Sequence, residues 1–397
     1  MEPVKSIDGK KKVLLLRAGG MGDILILTAV AKQLWKLNYS VHFYCGSPTG
    51  RVDKLLNGLP FLDSVKQLQR LRGVDCIEDE QKNFVSVEML KKNFDVIVDY
   101  KLSIEDNRVG GNEIKEAWEL SRNSNFQNWI DLSLAWAKID PNLVLDKDKC
   151  PEVAFDANKP EWLEIIEWII TNTPIGVKDG RPFRVFGIQL QASSLIRTWY
   201  KAPELPDLIY KEYPNDIVLV FTNGSWVMMS KFGNQKITAP EKFDPLMFSA
   251  CIIRLMDVFI SADSGTSHLA EALGTKSIVI YTTVPAWTRV KYYQNCYPLE
   301  ANSWCHPCFA LDLFCPEEKK KAEATLSERE KKIVEASNAN KNIQEVAREL
   351  STVPQAIKNE YDAAMKRVEA LSAQEALCVK SITPAAIMNK LDEILNL

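Results

Sequence analysis

The sequence lacks an excess of charge of either sign and a long uninterrupted apolar run. Its 397 residues carry 49 Lys and Arg against 52 Asp and Glu, a formal net charge of −3, which disfavours a protein that coats a polyanion. Arg17 and Asp23 interrupt the apolar segment near the start, so it is not expected to span a membrane, and no stretch of signal-peptide length precedes it. The nine cysteines are then expected to be thiols or metal ligands rather than disulfides, in a cytoplasmic protein.

What is present is an alternation of short apolar runs with amphipathic segments, typical of α/β domains with parallel sheets. The predicted strands cover residues 13–16, 41–45, 95–99, 185–190, 217–221, 258–260 and 277–281. Breaker residues between 173 and 182 predict the boundary between two such domains, 1–175 and 182–316. We interpret residues 317–377, which are charged, poor in glycine and helical in pattern, as an inserted module. Residues 378–397 then supply one last helix, with Thr383 as its N-cap.

Three segments that follow predicted strands could bind phosphate groups. The first is the turn Gly19, Gly20, Met21, Gly22 and Asp23; the second is Asp263, Ser264, Gly265, Thr266, Ser267 and His268; the third contains Ser193, Ser194 and Arg197. Glycines let a backbone approach a ligand, helix starts offer unpaired N–H groups, and a guanidinium matches phosphate oxygens. Taken singly, each could instead be a helix cap or a surface loop, and Asp23 could be only a cap.

Together the three segments resemble glycosyltransferase family 9, the ADP-heptose:lipopolysaccharide heptosyltransferases. Residues 16–24 are similar to the family's opening strand, turn and catalytic aspartate. Residues 263–275 are similar to its D-T-G-x-x-H-L-A-x-A-L-G-T signature, with Ser264 in place of Thr. Residues 192–199 resemble its phosphate-contacting A-S and K-x-W loop, with Arg197 in place of Lys. The turns at 190–191 and 282–284 depart from the family pattern, which leaves the nucleotide sugar open.

The resemblance implies a GT-B fold, in which two Rossmann-like domains face a cleft. It implies that the N-terminal domain holds the acceptor beside the Gly19–Gly22 loop, that the C-terminal domain holds the nucleotide sugar, and that the last helix packs back on the first domain. It implies inverting transfer with no cofactor required for catalysis. Asp23 would act as general base, and Arg197 with the helix start at Gly265 would stabilise the diphosphate leaving group.

Four cysteines, Cys305, Cys308, Cys315 and Cys378, are a plausible structural zinc or iron set, because a C-x-x-C pair and two further thiolates can complete a tetrahedral site. Buried thiols without a metal are the alternative. Similar cysteines recur in some family 9 enzymes, where they hold iron.

The inserted module resembles the helix-turn-helix of LuxR-type regulators at residues 326–334, 343–350 and 357–361, with Ser351 in place of glycine in the turn. Any amphipathic pair of helices could produce this pattern. If the module does contact nucleic acid, Lys358, Lys366 and Arg367 are the expected phosphate contacts.

The sequence therefore predicts a glycosyltransferase that uses a nucleotide-diphosphate sugar. A saccharide or lipopolysaccharide is the first class of acceptor, a hydroxymethylated base of phage DNA the second and a protein the third. The rival from another class is a catalytically inactive GT-B fold that serves as a binding protein. An oligomer is compatible with either function.

Overall fold

The computed structural model describes residues 9–78, 82–100, 128–176, 182–192, 197–199, 204–222, 224–231, 233–303, 321–338, 350, 354–375 and 377–396. Its strands are β1 (Lys12–Ala18), β2 (Ser40–Gly46), β3 (Ser64–Leu71), β4 (Val74–Glu78), β5 (Phe84–Ser86), β6 (Val96–Asp99), β7 (Val185–Gln189), β8 (Ile217–Thr222), β9 (Ser225–Met229), β10 (Gln235–Ile237), β11 (Val258–Ala262), β12 (Ser277–Tyr281) and β13 (Cys296–Glu300).

Its α-helices are α1 (Met21–Lys36), α2 (Val52–Leu56), α3 (Val87–Lys91), α4 (Trp129–Trp136), α5 (Pro160–Asn172), α6 (Glu204–Glu212), α7 (Pro245–Leu255), α8 (Gly265–Ala272), α9 (Trp287–Val290), α10 (Glu328–Asn338), α11 (Pro354–Glu375), α12 (Leu377–Ser381) and α13 (Pro384–Leu395). Two short 3₁₀ turns cover Pro141–Leu143 and Asp146–Asp148. None of the helices described is long and apolar enough to cross a membrane.

The strands form two sheets, one in each predicted domain. The first has the order β5-β4-β3-β2-β1-β6 and the second the order β10-β9-β8-β7-β11-β12-β13. The central strands of both sheets run parallel, whereas β4 and β5, and likewise β9 and β10, pair antiparallel at one edge. The described residues thus confirm the predicted pair of Rossmann-like α/β domains, the arrangement that defines GT-B.

Apolar runs form these central strands because both faces of each sheet are covered. In β1, Val13 and Leu15 belong to the core on one face, while Leu14 and Leu16 belong to a separate core on the other. A strand that is buried on both faces reads as a continuous apolar run. Mixed polar strands such as β3 and β10 gave no such signal in the sequence and were not predicted.

Strand order reverses beside β1 in the first sheet and beside β7 in the second, because β6 and β11 lie on the side opposite to β2 and β8. Open α/β sheets bind ligands at such reversal points, beyond the carboxyl ends of the strands. The turn after β1 and the turn after β11 therefore occupy the two positions where this fold leaves room for a ligand.

Helix α1 connects the two domains through apolar packing. Its buried side chains, among them Ile24 and Leu25, share one core with Phe248 of α7 and Leu269 of α8 in the second domain. A shared core of this kind fixes how the two sheets face each other.

The last helix, α13, packs on the second domain. Thr383 caps it as predicted, since its side chain accepts a hydrogen bond from the N–H of Ala386. Ile387, Leu391 and Ile394 are buried in one core with side chains of β7 and α6. The expectation that this helix packs back on the first domain is therefore wrong.

The inserted module has small cores of its own in the part that the structure describes. Ala322, Leu326 and Val334 pack with Ala364 and Val368 of α11. Helix α11 continues without interruption from Pro354 to Glu375. The predicted first helix of the helix-turn-helix, at 343–350, falls almost wholly outside the described residues, so that resemblance stays a prediction.

Candidate functional site

The first half of the site is the start of α1. The backbone turns at Gly19, whose φ of 153° is in the region that favours glycine, and Gly20 is the N-cap of the helix. Asp23 is the third residue of the helix, and its Oδ2 atom accepts a hydrogen bond of 3.1 Å from the N–H of Gly20. Asp23 is thus not the N-cap residue; it reaches back to the cap from inside the first turn.

Arg17 holds the same carboxylate from the end of β1. Its Nη2 atom lies 3.0 Å from Asp23 Oδ2, and its Nη1 atom donates a hydrogen bond of 2.6 Å to the carbonyl of Tyr100. Arg17 is buried, with 5% of its surface exposed. Both contacts of Asp23 recorded among the described residues fall on Oδ2, which leaves Oδ1 as the oxygen that can accept a proton from a ligand. Arg17 was not predicted as a site residue, although a single cation directly after the apolar run of β1 could have indicated it.

The second half of the site is the start of α8, with Ser264 as its N-cap. The hydroxyls of Ser264 and Thr266 both donate to the carboxamide oxygen of Gln189, over 3.2 and 2.8 Å. The Ser267 hydroxyl donates to the Ser264 carbonyl over 2.7 Å. Gln189, the last residue of β7, was not predicted, because nothing in the sequence separates it from an ordinary strand end. The network fixes the conformation of the turn at the reversal point of the second sheet.

Two arginines converge on Asp263, directly before this turn. Arg197 Nη1 lies 3.4 Å from Asp263 Oδ2, and Arg289 Nε lies 4.0 Å from the same oxygen. Arg289 and Asp263 are buried, with 4% and 3% of their surfaces exposed. Two cations approach one carboxylate beside a helix N-terminus, an arrangement of donors that suits an anion. Ser193 and Ser194 lie outside the described residues.

His268 lies between the two halves. Its Nδ1 atom and the hydroxyl of Tyr293 share a hydrogen bond of 2.5 Å. Burial lowers the pKa of His268 to about 4, with further influences from Asp263, Arg289, Asp23 and Arg197 in that order. The imidazole is therefore neutral at pH 7. His268 belongs to α8 and its ring lies against Gly22 of α1, so the structure brings the predicted acceptor-side and donor-side residues close together.

The two helix starts are in direct contact beside His268. A Cβ atom at Gly22 would lie 2.4 Å from Cδ2 of His268, and a Cβ atom at Gly265 would lie 3.0 Å from the backbone nitrogen of Gly22. Only glycines permit an approach this close. The two domains are therefore in direct contact along this side of the predicted cleft.

The predicted metal set is described only at Cys378, which is buried with 3% of its surface exposed in the core beneath α13. Cys305, Cys308 and Cys315 lie outside the described residues. No group of three or more His, Cys, Asp or Glu side chains in the described ranges could hold a metal ion. The zinc or iron site therefore stays a prediction.

Two arginines of the module pair with glutamates of the same module. Arg367 pairs with Glu330, and Arg329 pairs with Glu360 over 2.8 Å. Arg367 is thus a poor phosphate contact, because it already has an anionic partner. The described part of the module gives no support to a DNA acceptor.

A separate surface cavity of about 550 Å³ lies far from this site, at the amino ends of β7 and β8, where Arg184, Tyr213 and Asp216 line it. Ligands of open α/β sheets bind at the opposite, carboxyl ends. We therefore assign no role in chemistry to this cavity.

Comparison with known proteins bears on the second domain. The model of glycosyltransferase family 9 (heptosyltransferase) matches residues 246–320, which include β11, α8 and β12. No curated protein sequence matches the chain significantly. The family match supports the predicted enzyme class, a glycosyltransferase.

Solved structures of glycosyltransferases are also similar to the chain. The glycosyl transferase family 9 from Veillonella parvula DSM 2008 has 12% identity and a TM-score of 0.48, covering 73% of this chain and 85% of that one. The iron-containing dodecameric glycosyltransferase TibC from enterotoxigenic E. coli H10407 has 12% identity and a TM-score of 0.48, covering 90% and 76%. E. coli ADP-heptose lps heptosyltransferase II has 11% identity and a TM-score of 0.46, covering 76% and 95%. The assignment of the fold rests on the sheet topology of the chain itself.

Proposed function

We propose that the protein is an inverting glycosyltransferase that moves a sugar from a nucleoside-diphosphate sugar to a hydroxyl group of a saccharide. The observation that carries this proposal is the meeting of two unlike sites at His268. One presents a carboxylate at the start of α1; the other presents two arginines around Asp263 at the start of α8. A base beside an anion site is what transfer from a diphosphate leaving group needs.

In the proposed reaction the acceptor hydroxyl gives its proton to Asp23 Oδ1. The acceptor oxygen forms a bond to the anomeric carbon, while the bond from that carbon to the diphosphate oxygen breaks. The nucleoside diphosphate leaves with the electron pair of that bond. Arg197 and the N–H groups at the start of α8 stabilise the negative charge that develops on it. Attack from the face opposite to the leaving group inverts the anomeric centre.

The donor half is tested by calorimetry with ADP and UDP on the wild type and on Arg197→Ala. Loss of a hydrogen-bonded charge is expected to weaken binding by about 1.5–3 kcal/mol, or roughly 10- to 150-fold. Arg184→Ala is the matched control, because Arg184 pairs with Asp216 over 2.7 Å at the far end of the second sheet. Absence of binding in the wild type, or equal affinity in Arg197→Ala, would remove the donor site from this position.

Hydrolysis assays with ADP- and UDP-sugars, ADP-heptose among them, then separate an enzyme from a binding protein. Slow donor hydrolysis that depends on Asp23 supports the transferase. Tight diphosphate binding without turnover of any donor would favour the catalytically inactive GT-B alternative. Transfer assays on lipopolysaccharide cores and oligosaccharides address the acceptor class.

A further inference from the structure

A short segment of the second domain, Trp287–Tyr293, lies against helix α4 of the first domain, and we call it the bridging segment. Three contacts spaced along both elements join them: the Asn128 Nδ2 atom donates to the Trp287 carbonyl over 2.8 Å, the guanidinium carbon of Arg289 lies 3.5 Å from the centre of the Trp129 ring, and the Tyr292 hydroxyl donates to Asp131 Oδ2 over 2.6 Å. Lys149 completes the last contact, with Nζ at 2.9 Å from Asp131 Oδ1.

The bridging segment also reaches into the anion site. Arg289 Nε lies 4.0 Å from Asp263 Oδ2, and the Tyr293 hydroxyl is hydrogen-bonded to Nδ1 of His268. Arg289 therefore lies between a carboxylate of the second domain and an indole ring of the first. A cation over an aromatic ring is held more strongly when both are shielded from water, and Arg289 is buried with 4% of its surface exposed.

This arrangement links occupancy of the anion site to the position of the first domain. A diphosphate that attracts Arg197 weakens the contact of that cation with Asp263, and the carboxylate then attracts Arg289 more strongly. The guanidinium is then held more firmly in the place where Trp129 packs on it. Since such coupling is reciprocal, a displaced Trp129 must weaken diphosphate binding in turn.

We propose that Arg289 is a positioning residue for sugar transfer: through Asp263 and Trp129 it couples the diphosphate site on the second domain to the first domain, which carries Asp23. This inference rests on the proposed function, because it takes the anion at Asp263 to be the diphosphate of the donor.

The test is a double-mutant cycle in the full chain with ADP affinity as the readout. Arg289→Met should weaken ADP binding about 10-fold and Trp129→Leu about 5-fold, within the usual range for coupled sites. The double variant should bind ADP about as weakly as Arg289→Met alone, because Trp129 acts only through Arg289. A loss near the product, about 50-fold, would mean that the two residues act independently and would overturn the proposal.

Two further variants separate positioning from helix packing. Trp129→Phe keeps an aromatic face for the guanidinium and should restore ADP affinity to within about 2-fold of the wild type. Trp136→Leu, at the other end of α4, removes a ring that packs on the main core and leaves the contact between Arg289 and Trp129 in place, so it should leave ADP affinity unchanged. If Trp136→Leu weakens ADP binding as much as Trp129→Leu does, packing of α4 explains the effect and the proposal fails.

Failure of the proposed function gives a different result. In that case the wild type binds neither ADP nor UDP, and Arg197→Ala has nothing to change. ADP binding that depends on Arg197, combined with independent effects of Arg289 and Trp129, overturns only the coupling.

Discussion

At the scale of single residues, Asp23 combines a chemical role with a structural one. Asp23→Asn is expected to lower turnover roughly 100-fold or more, the effect of losing a general base. The sequence alone suggests no loss of stability, because asparagine is a good cap. The ion pair with buried Arg17 changes that expectation, since the guanidinium keeps its charge and loses its counter-ion. We expect a loss of about 1–2 kcal/mol in the free energy of unfolding, with Asp23 partly exposed.

Arg17→Gln separates the two roles of Asp23. It breaks the same ion pair and should cost similar stability in urea denaturation, yet it leaves the carboxylate in place. Its turnover should exceed that of Asp23→Asn by about 10-fold or more. If Asp23→Asn retains activity within a few-fold of the wild type, Asp23 serves only the start of α1.

His268 makes stability depend on pH in a defined window. Burial lowers its pKa from 6.5 to about 4, so the unfolded chain binds a proton at a pH where the native protein does not. Stability is therefore lost as the pH falls from about 6.5 towards 4, by about 2 kcal/mol between pH 7 and pH 5 for this residue. His268→Gln should remove that part of the pH dependence while the other titrating groups keep theirs. Parallel urea titrations of both proteins at pH 7 and pH 5 measure it, and identical slopes with pH would contradict it.

At the scale of secondary structure elements, the contact between the starts of α1 and α8 depends on the absence of one side chain. Gly22→Ala would place a Cβ atom 2.4 Å from the His268 ring. Alanine favours a helix over glycine by about 1 kcal/mol, but the clash should outweigh this gain and destabilise the protein by about 1–3 kcal/mol net.

A His268→Ala background tests the cause of that loss, because it removes the two ring atoms that lie closest to the added Cβ atom. Gly22→Ala should cost clearly less stability there than in the wild type, as chemical denaturation of the four proteins would measure. Equal costs in both backgrounds would place the strain elsewhere in α1.

The strands predicted from the sequence are those that are covered by other elements on both faces of the sheet. All seven predicted strands are present, because a strand covered on both faces is a plain apolar run. The six strands that were missed are β3, β4, β5, β9, β10 and β13, which flank the central strands of the two sheets. Most of them carry exposed or half-buried residues and therefore give no plain apolar run. The glycine turn after β1 and the helix starts after β1 and β11 were also located correctly, because the residues that define them are adjacent in the sequence.

The parts of the site that the sequence could not supply are contacts between distant residues. Gln189, Arg289 and Trp129 carry no local pattern, and only the meeting of the two domains brings them to Asp263 and the start of α8. The same limit explains the misplaced last helix, because an amphipathic helix shows which of its faces is buried but not against which domain.

At the scale of the whole molecule, the described residues of the inserted module take no part in the contacts found at the site. Its described helices pack on each other through Ile333, Ala336 and Ile357, and its ion pairs join residues within the module. All candidate groups for chemistry lie in the two α/β domains. Donor chemistry should therefore not need the module, whereas the choice of acceptor can depend on it.

Replacement of residues 321–375 by a flexible Gly/Ser linker tests this division. ADP affinity and the rate of donor hydrolysis should stay within about 2-fold of the wild type, because none of the contacts described for the site involves a residue of the module. The matched control is Leu391→Ala in α13, where a fully buried side chain of the second-domain core is truncated. That variant should lose about 2–5 kcal/mol of stability, which shows that the C-terminal region is not dispensable as a whole.

The same replacement distinguishes the classes of acceptor. If a saccharide is bound by the two α/β domains alone, transfer survives the loss of the module; if the module presents the acceptor, transfer fails while donor hydrolysis persists. A nucleic-acid acceptor adds a further requirement, since binding through phosphates must weaken steeply with salt. With Arg367 already paired to Glu330 and a net charge of −3, we expect no salt-dependent binding of duplex DNA by the wild type at low ionic strength. Binding that falls with salt and disappears with the module would contradict this expectation and make DNA the acceptor to pursue.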